Sequence, residues 1–282
     1  MSKLKEVNVC IAGLGNVGMH VVKSIKENNN FILDKANLKI NILGISAKNK
    51  NKKRIFNISD LPWFDDPNQL INISDCNIFI ELMGYEKDIS YEIIKKALEN
   101  KIHVITANKA LLSKNGTELF KIAEENNVLL LFEAAVAGGI PIINTIKQSL
   151  FLNKINKISG ILNGTTNFIL TEMESKNKNF KHILSEAQSS GYVESDPTND
   201  IEGIDSAHKL SLLSTICFGS TIDFDKISYK GISSIEIEDI KYANKLGYKI
   251  KLISESYIDE NKIVSVVEPK LVRKDSYLAN VQ

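Results

Sequence analysis

Carboxylates and one lysine lie close together between residues 191 and 209. Glu194 and Asp200 occupy a loop-like stretch, and Asp205 and Lys209 are four residues apart in the helical pattern that follows. Side chains at this spacing share one side of a helix, so the carboxylate can hold the ammonium group. The set predicts a polar pocket for proton transfer and for binding a cationic substrate. The competing interpretation is an exposed ion pair, which contributes only about 0.3–0.5 kcal/mol.

A buried helix is the element that must position this pair. A turn signal at Gly191 and Pro197 precedes it, and apolar residues then recur at helical spacing. These residues are Ile204, Ala207, Leu210, Leu213 and Cys217. One apolar face of this kind anchors a helix in a core. The Asp205–Lys209 stripe is expected beside that face.

A glycine motif at the start of the chain predicts a second kind of chemistry. The apolar strand Val7–Ala12 runs into Gly13, Leu14, Gly15, Asn16, Val17 and Gly18, and a helical pattern follows from Met19 to Glu27. Gly-x-Gly-x-x-Gly between a strand and a helix permits a tight turn and lets a pyrophosphate approach the helix N-terminus. Gly13, Gly15, Asn16, Val17 and Gly18 are therefore predicted to bind a dinucleotide.

The next predicted strand, Leu38–Ser46, indicates which dinucleotide. An acidic residue at its end is typical of NAD-selective sites, because it bonds to the ribose hydroxyl. Here no acid follows Ser46, and the loop Lys48–Arg54 carries five basic residues. This favours the 2′-phosphate of NADP, with NAD as the second choice. A plain solvated loop is the alternative.

Strand and helix patterns alternate through the first half of the chain. Further predicted strands are Asn77–Leu82, Ile102–Thr106 and Val128–Phe132, and further predicted helices are Ile89–Leu98 and Glu118–Glu125. This alternation is typical of a parallel sheet with right-handed crossovers. The predicted fold class is α/β, with a Rossmann-type, doubly wound parallel sheet in a dinucleotide-binding domain of residues 1–140.

Residues 141–282 show a mixed pattern, which predicts a second, α+β domain for substrate binding and dimerisation. Its predicted helices are Pro141–Leu150, one capped by Asn163–Asn167, Phe180–Gln188 and Ile237–Leu246, and its predicted strands are Ile155–Leu162, Ile227–Gly231, Tyr248–Ile258 and Lys262–Val272. An exposed sheet of this kind is suited to pairing with a second copy, so a homodimer is expected.

Two further loops carry candidate residues. Thr106 and Lys109 lie at the carboxyl end of a predicted strand, where open α/β sheets bind their ligands, and both are predicted to contact the cofactor. The segment Glu133–Pro141 is rich in small residues and glycine, so its backbone carbonyls can converge on a hard cation. A plain hinge between domains explains the same composition equally well.

The composition excludes several classes of protein. The formal net charge is +1, from 35 basic and 34 acidic residues, which argues against nucleic-acid and membrane partners. The three cysteines have no metal-binding spacing and lie in apolar contexts, which favours buried thiols. A strand pattern within a few residues of Met1 leaves no room for a signal peptide, so a cytoplasmic location is expected.

Five motifs, taken together, resemble the homoserine dehydrogenase family in identity and in order. They are Gly13–Gly18, Ala107–Lys109, Glu133–Pro141, Asn163–Asn167 and Gly191–Lys209. The resemblance implies NAD(P)-dependent interconversion of L-homoserine and L-aspartate 4-semialdehyde, a step of threonine, methionine and isoleucine biosynthesis.

The resemblance also implies roles for individual residues. Lys209 matches the proton donor and acceptor, Lys109 a second active-site lysine, and Glu194 the residue that binds the substrate amino group. The catalytic set is then Lys209, Lys109 and Asp205, the substrate contacts are Glu194, Asp200, Gly164, Thr165 and Tyr192, and a sodium ion is held by backbone carbonyls of Glu133, Val136, Gly138 and Ile140.

One departure from the family pattern concerns the C-terminus. In the family the chain continues past the position of Gln282 and re-enters the nucleotide domain, so this sequence is expected to be truncated. It is then either a fragment or a protein with impaired closure around its cofactor.

Three other functions compete with this interpretation. One is a different NAD(P)-dependent dehydrogenase, for example one that acts on an amine, and another is a non-catalytic nucleotide-binding protein. The third is a dehydrogenase that oxidises a semialdehyde to an acyl phosphate, a reaction that would need an activated cysteine. Cys10, Cys76 and Cys217 all lie in apolar patterns that do not favour one.

Overall fold

The structure, a computed structural model, describes residues 4–84, 89–221 and 224–281. The chain divides into two compact units, Met1–Gly139 and Ile140–Gln282. Gln282, the last residue of the predicted second domain, lies outside the described residues. Among the helices of the described ranges, none has both the length and the apolar character needed to cross a bilayer.

The first unit contains a six-stranded sheet with the order β3-β2-β1-β4-β5-β6, in which each strand is parallel to its neighbours. Its strands are β1 (Lys5–Ala12), β2 (Leu38–Ser46), β3 (Trp63–Phe64), β4 (Ile78–Glu81), β5 (His103–Thr106) and β6 (Leu130–Leu131), and its helices are α1 (Asn16–Ala36), α2 (Ile89–Glu99) and α3 (Lys109–Glu125). After β1 the chain adds β2 and β3 on one side of this strand, and it then reverses direction across the sheet to add β4, β5 and β6 on the other side. This reversal places the ligand crevice at the carboxyl ends of β1 and β4, and it confirms the predicted fold class.

Apolar residues of the central strands and of α1 form the core of this unit. Ile11, Val22 and Ile45 are fully buried and belong to one cluster. Helix α1 begins three residues before the predicted Met19–Glu27 and continues nine residues beyond it to Ala36, where the C-cap residue Asn37 has a left-handed backbone with φ of 49°. The run of asparagines after Glu27 weakened the helix prediction there, because asparagine is a poor residue for a helix interior.

Helix α3 begins earlier than the predicted Glu118. Asn108 caps it, because its side-chain oxygen accepts a hydrogen bond from the backbone N–H of Leu111 at 3.2 Å. Lys109 is therefore the first residue of a helix rather than part of a loop. The predicted strand Val128–Phe132 was also too long, since only Leu130–Leu131 pairs with β5.

The second unit contains a mixed four-stranded sheet with the order β7-β9-β10-β8. Its helices are α4 (Ile142–Asn144), α5 (Gly164–Lys176), α6 (Phe180–Ser189), α7 (Thr198–Ile201), α8 (Ile204–Phe218) and α9 (Ile237–Lys245), and its strands are β7 (Lys157–Gly160), β8 (Ser228–Tyr229), β9 (Tyr248–Asp259) and β10 (Lys262–Arg273). Helices α5 and α8 share one apolar cluster with the sheet, and the buried side chains of Met173, Leu210 and Val267 belong to it.

The β9–β10 hairpin is the longest pairing in this sheet. The two strands pair antiparallel along all twelve residues, from Asp259 with Lys262 to Tyr248 with Arg273. Glu260 and Asn261 at the tip both have positive φ, 43° and 64°, as a two-residue hairpin turn requires. The predicted strands Tyr248–Ile258 and Lys262–Val272 are therefore confirmed to within one residue.

Other elements of this unit are shorter than predicted. The predicted helix Pro141–Leu150 is a single α-helical turn, α4, followed by a π-helical turn over Thr145–Ser149. The predicted strand Ile227–Gly231 is reduced to Ser228–Tyr229, because the chain at Gly231 packs against Ile201, where a Cβ atom would lie 2.2 Å from the carbonyl oxygen.

A buried lysine ties the end of the described chain to α5. The Lys251 Nζ donates to the Asn167 Oδ1 at 2.7 Å, to the Thr171 Oγ1 at 3.2 Å and to the carbonyl of Val281 at 2.6 Å. Burial lowers the pKa of Lys251. The three oxygens supply the partners that a buried ammonium group needs.

Candidate active site

The glycine loop after β1 has the shape that a pyrophosphate requires. Gly13 has φ of 99°, and a Cβ atom there would lie 2.3 Å from the backbone of Leu82. A Cβ atom at Gly18 would lie 1.9 Å from the carbonyl oxygen of Gly13, whereas one at Gly15 would meet nothing within 4 Å. The first and third glycines thus allow close packing within the protein, and the second leaves open space for a ligand.

The N-terminus of α1 faces the same loop and can receive an anion. Gly15 is its N-cap residue and supplies no side-chain hydrogen bond, and no acidic residue lies in the first turn. Asn16 and Val17 are exposed. Backbone N–H groups in the first turn of a helix lack partners within it, and the helix dipole favours a negative charge there.

A fully buried carboxylate organises the loop after β4. The Glu81 Oε1 accepts hydrogen bonds from the backbone N–H groups of Met83 at 2.9 Å and Gly84 at 3.3 Å, and from the Ser90 hydroxyl at 3.1 Å. Its Oε2 accepts from the Thr106 hydroxyl at 2.6 Å. Four donors from three parts of the chain therefore hold this loop beside the glycine motif.

Thr106 and Lys109 are joined to this carboxylate through a short chain of hydrogen bonds. The Thr106 side chain is fully buried, and its hydroxyl oxygen accepts from the backbone N–H of Asn108 at 3.0 Å. Asn108 in turn caps α3, on which Lys109 is the first residue. The Thr106 hydroxyl gives its hydrogen to Glu81, so this side chain connects Glu81 to the start of α3.

The basic loop after β2 is organised by its own arginine. The Arg54 guanidinium donates to the carbonyls of Asn49 at 2.6 Å, Lys50 at 2.9 Å and Lys52 at 3.1 Å, and it lies 5.1 Å from the centre of the Trp63 ring. Lys48 and Lys50 are exposed. Lys52 and Lys53 are exposed as well, and the Lys50 Nζ lies 6.0 Å from the centre of the Trp63 ring. Arg54 thus folds the loop, and its exposed lysines are the side chains available to a phosphate.

In the second unit, Lys209 and Asp205 form a close and largely buried ion pair. The Lys209 Nζ lies 2.7 Å from the Asp205 Oδ2, and their side chains are only 18% and 9% exposed. The same ammonium donates to the carbonyl of Leu162 at 2.8 Å. This burial excludes the exposed surface pair that the spacing alone also allowed.

Helix α8, which carries both residues, is more deeply buried than predicted. Ala207, Leu210 and Leu213 are buried as expected, but so are Ser206, His208, Ser211 and Ser214. The helix is therefore enclosed on more than one side, and the predicted single apolar face was too narrow. Its enclosure explains why the ion pair lies away from bulk water.

Asn163 connects this pair to the preceding loop. Its Nδ2 donates to the Asp205 Oδ2 at 2.9 Å and to the Asp200 Oδ1 at 2.7 Å. Gly164 and Thr165 follow it directly in the first turn of α5. The structure therefore brings together Asp200, Asp205 and Lys209 with the start of α5.

The loop that carries Tyr192 and Glu194 is fixed by other contacts. The Tyr192 ring packs on Phe168 of α5, with 4.2 Å between the ring centres. The Gln188 side chain donates to the carbonyls of Glu194 and Ser195, both at 3.2 Å. Within the described part of the chain the Glu194 carboxylate is exposed and makes no hydrogen bond or ion pair, so it is available to a ligand.

The segment predicted to bind sodium forms a sharp turn. Glu133 begins a 3-10 turn, and Val136 is fully buried. Ala137 and Gly138 both have left-handed backbones, with φ of 59° and 57°. The carbonyl of Glu133 accepts from the N–H of Val136 at 3.4 Å, and the carbonyl of Ile140 accepts from the N–H of Ile142 at 2.8 Å.

The cysteines do not provide a nucleophile. Cys10 and Cys76 are buried, and all three thiols are free of disulfides. Burial raises the pKa of Cys217 to about 11, which keeps this thiol protonated near neutral pH. A side-chain hydrogen bond with Cys10 lowers the pKa of Cys76, but that thiol is buried. Attack on a carbonyl requires an accessible thiolate, so oxidation of a semialdehyde to an acyl phosphate is not supported.

Two polar side chains that organise the candidate site, Glu81 and Asn163, were not predicted from the sequence. Glu81 ends a strand that was treated only as apolar, and Asn163 was considered only as a helix cap. Glu81 could have been recognised, because it is a charged residue in a strand that otherwise has the apolar pattern of a buried strand. A buried acid needs several hydrogen-bond donors. No local signal pointed to the two carboxylates that Asn163 bridges, which follow it by 37 and 42 residues.

Comparison with known families assigns both units. Residues 13–133 match the model described as "Homoserine dehydrogenase, NAD binding domain", and residues 141–282 match the model described as "Homoserine dehydrogenase". The two matches follow one another along the chain. They coincide with the glycine loop and with the Asp205–Lys209 site, respectively.

Individual relatives agree with the family models. The chain is 41% identical to the homoserine dehydrogenase of Neisseria gonorrhoeae over 278 residues, which are 99% of this chain and 63% of the relative. It is 38% identical to that of Bacillus subtilis over 95% of this chain and 62% of the relative. The chain therefore spans a little under two thirds of the length of these curated relatives.

Solved structures share the fold. A homoserine dehydrogenase from Thiobacillus denitrificans matches with a TM-score of 0.92 and 40% identity, over 98% of this chain and 64% of that chain. One from S. aureus, at pH 6.0, matches with a TM-score of 0.87 and 41% identity, over 99% of this chain and 70% of that chain.

Proposed function

Because the chain belongs to the homoserine dehydrogenase family, we propose that it interconverts L-homoserine and L-aspartate 4-semialdehyde with a nicotinamide cofactor. The main support for this proposal is the largely buried ion pair in which the Lys209 Nζ lies 2.7 Å from the Asp205 Oδ2. A lysine held in this way, with acidic residues around it, suits proton transfer to an oxygen of a substrate that carries an ammonium group.

Lys209 is the proton donor in semialdehyde reduction and the acceptor in homoserine oxidation. Hydride addition to an aldehyde builds negative charge on its oxygen, which a positioned ammonium group stabilises and protonates. Two hydrogens of the Lys209 ammonium are bonded to Asp205 and Leu162. The third is available to the substrate, so the two fixed bonds aim the group.

The carboxylates and the first turn of α5 bind the substrate. The free and exposed Glu194 carboxylate suits the substrate ammonium group, while Asp200 lies beside the proton-transfer pair through Asn163. Gly164, Thr165 and Tyr192 supply the remaining contacts. The 4.2 Å packing of Tyr192 on Phe168 supports this assignment, because it fixes one wall next to α5.

The first unit binds the cofactor, which donates or accepts the hydride when bound. Gly13, Gly15, Asn16, Val17 and Gly18 receive the pyrophosphate, and Lys109 is a second active-site lysine at the start of α3. NADP is the preferred cofactor, because Lys48 and Lys50 are exposed in a loop that carries no acid. NAD remains the alternative cofactor.

Further assignments rest on the family resemblance. Carbonyls of Glu133, Val136, Gly138 and Ile140 hold a sodium ion, and the sharp turn formed by the left-handed backbones of Ala137 and Gly138 supports this assignment. The protein acts as a cytoplasmic homodimer in the biosynthesis of threonine, methionine and isoleucine. The formal net charge of +1 agrees with partners that are small molecules rather than nucleic acids.

Loss of NADPH absorbance on addition of L-aspartate 4-semialdehyde tests the proposal directly. The purified chain is assayed in both directions, with NADPH against NADH and with homoserine against other amino acids. Oxidation of homoserine without release of ammonia supports the assignment. Release of ammonia from an amino acid, with no turnover of the semialdehyde, would identify an amine-oxidising dehydrogenase instead.

A further inference from the structure

The side chain of Asn163 is buried where three functional groups meet. Its Nδ2 lies within 3 Å of one carboxylate oxygen on Asp200 and of one on Asp205, at 2.7 Å and 2.9 Å. Asp200 belongs to α7 and Asp205 to the first turn of α8. One amide group therefore donates both of its hydrogens to carboxylates from two different elements.

The orientation of this amide is fixed from its other end. The Asn163 Oδ1 accepts hydrogen bonds from the backbone N–H of Thr166 at 2.8 Å and from its hydroxyl at 3.0 Å. Turning the amide over would place its NH₂ group against the Thr166 N–H, which cannot accept a hydrogen bond, and would bring an oxygen against two carboxylates. The capping of α5 thus forces the NH₂ group towards Asp200 and Asp205.

Without a donor between them, the two carboxylates would repel each other, because like charges at this separation disfavour the ionised forms. The Asp205 Oδ2 is also the atom that holds the Lys209 ammonium, at 2.7 Å. Any rotation of the Asp205 carboxylate away from Asp200 therefore moves the anchor of Lys209. The amide connects the acidic loop to the proton-transfer pair.

We propose that Asn163 is a positioning residue that holds Asp200 and Asp205 together and thereby aims Lys209. The inference rests on the proposed function for its effect on turnover, but the bridge itself is independent of it. Asn163 has two separable tasks, the cap of α5 and the bridge between carboxylates. Substitutions that keep the first and remove the second isolate the bridge.

Serine, aspartate and asparagine are similarly good N-cap residues. Asn163→Ser keeps a capping oxygen but loses both hydrogens, and Asn163→Asp keeps the shape but adds a third negative charge. Asn179 provides the matched control, because it caps α6 through its Oδ1, which accepts from the N–H of His182 at 2.9 Å. It is exposed and contacts neither carboxylate, so Asn179→Ser and Asn179→Asp change only a cap.

We expect Asn163→Ser to lower kcat by roughly 10- to 100-fold, the size of a lost hydrogen bond to a charged group. Asn163→Asp should lower kcat further. If Asn163 only capped α5, neither substitution should change kcat. The dissociation constant for NADPH, measured by fluorescence, stays within about twofold of the parent because the cofactor residues lie in the first unit. Both Asn179 variants keep the parental kcat.

Melting curves test the bridge without any reference to turnover. At neutral pH, Asn163→Asp should melt at least about 5 °C below Asn179→Asp, because it places three carboxylates together. Adding Asp200→Asn to Asn163→Asp should raise the melting temperature, whereas Asp200→Asn alone in the parent should not. This reversal of sign is expected only when positions 163 and 200 interact directly.

Two results would overturn the inference. Parental kcat in Asn163→Asp would show that the bridge has no role in turnover, and equal melting of Asn163→Asp and Asn179→Asp would show that there is no bridge. A parent chain that turns over neither homoserine nor the semialdehyde would contradict the proposed function, while the melting curves would still decide the bridge.

Discussion

Replacement of Lys209 by methionine separates proton transfer from structural support. Methionine keeps the length and the apolar stem of lysine but removes the ammonium group. The change deletes the 2.7 Å contact with the Asp205 Oδ2 and the 2.8 Å bond to the carbonyl of Leu162. Asp205 keeps the bond from Asn163, so its carboxylate is not left without a donor.

The expected loss of stability follows from these contacts. A hydrogen bond to a charged group contributes about 1.5–3 kcal/mol, and the remaining donor on Asp205 favours the lower half of that range. We therefore expect the free energy of unfolding to fall by about 2 kcal/mol. For a chain of this size, such a loss lowers the melting temperature by roughly 4–8 °C. An exposed ion pair would contribute less than about 1 kcal/mol.

Turnover should fall much more than stability. Loss of a general acid or base typically costs roughly 10²–10⁴-fold, so Lys209→Met should be nearly inactive in both directions while still binding NADPH. Lys209→Arg keeps the charge, but a guanidinium group does not release a proton near neutral pH. It should therefore impair homoserine oxidation at least as strongly as semialdehyde reduction.

Steady-state kinetics in both directions, with a melting curve for each variant, form the assay. Lys241→Met is the matched control, because Lys241 pairs with Glu238 on α9 at 3.7 Å and both side chains are about half exposed. It should change neither turnover nor melting appreciably. Near-parental turnover in Lys209→Met would refute the catalytic assignment, and melting equal to that of Lys241→Met would refute the argument from burial.

Three further predictions concern substrate and cofactor. Glu194→Gln should raise the KM for homoserine by roughly 10-fold or more at unchanged melting temperature, because an exposed carboxylate contributes to binding rather than to packing. A lower melting temperature with an unchanged KM would contradict this. Neutralising Lys48 and Lys50 together should raise the KM for NADPH more than that for NADH, and equal changes would exclude the 2′-phosphate assignment. Glu81→Gln should lower the melting temperature and weaken NADPH binding, measured by fluorescence. The reason is that the glutamine NH₂ group cannot accept hydrogen bonds from the donors that now bind the carboxylate. An unchanged affinity for NADPH would show that the loop after β4 does not depend on Glu81.

Much of the fold was predictable because its signals are local. The strand β2 lies where the apolar pattern placed it, at Leu38–Ser46, and the glycine loop leads into α1 as the motif required. In each case a single stretch of sequence contains both the periodicity and the turn residues. The long β9–β10 hairpin was predictable for the same reason, since its two strands are joined by a two-residue turn.

Element ends were less predictable, because they depend on single capping contacts. Helix α3 begins at Lys109 only because the Asn108 side chain reaches the N–H of Leu111. The polar residues Lys114 and Asn115 interrupt its apolar pattern, which moved the predicted start to Glu118. This shift matters for function, because it places Lys109 at a helix N-terminus supported by Thr106 and Glu81.

The environment of the candidate site could not be read from the spacing of its residues. Four-residue spacing on α8 placed Asp205 and Lys209 together, but the same spacing also describes an exposed pair. The difference arises from Leu162 and Asn163, which precede α5 and supply a carbonyl and an amide to the pair. The Asn163 bond ties the start of α5 to α8, and both helices contribute to the apolar cluster of the second unit. The position of the chain at the start of α5 therefore determines whether this ion pair lies in water or in a pocket, and a substitution that displaces α5 should cost activity before it unfolds the sheet.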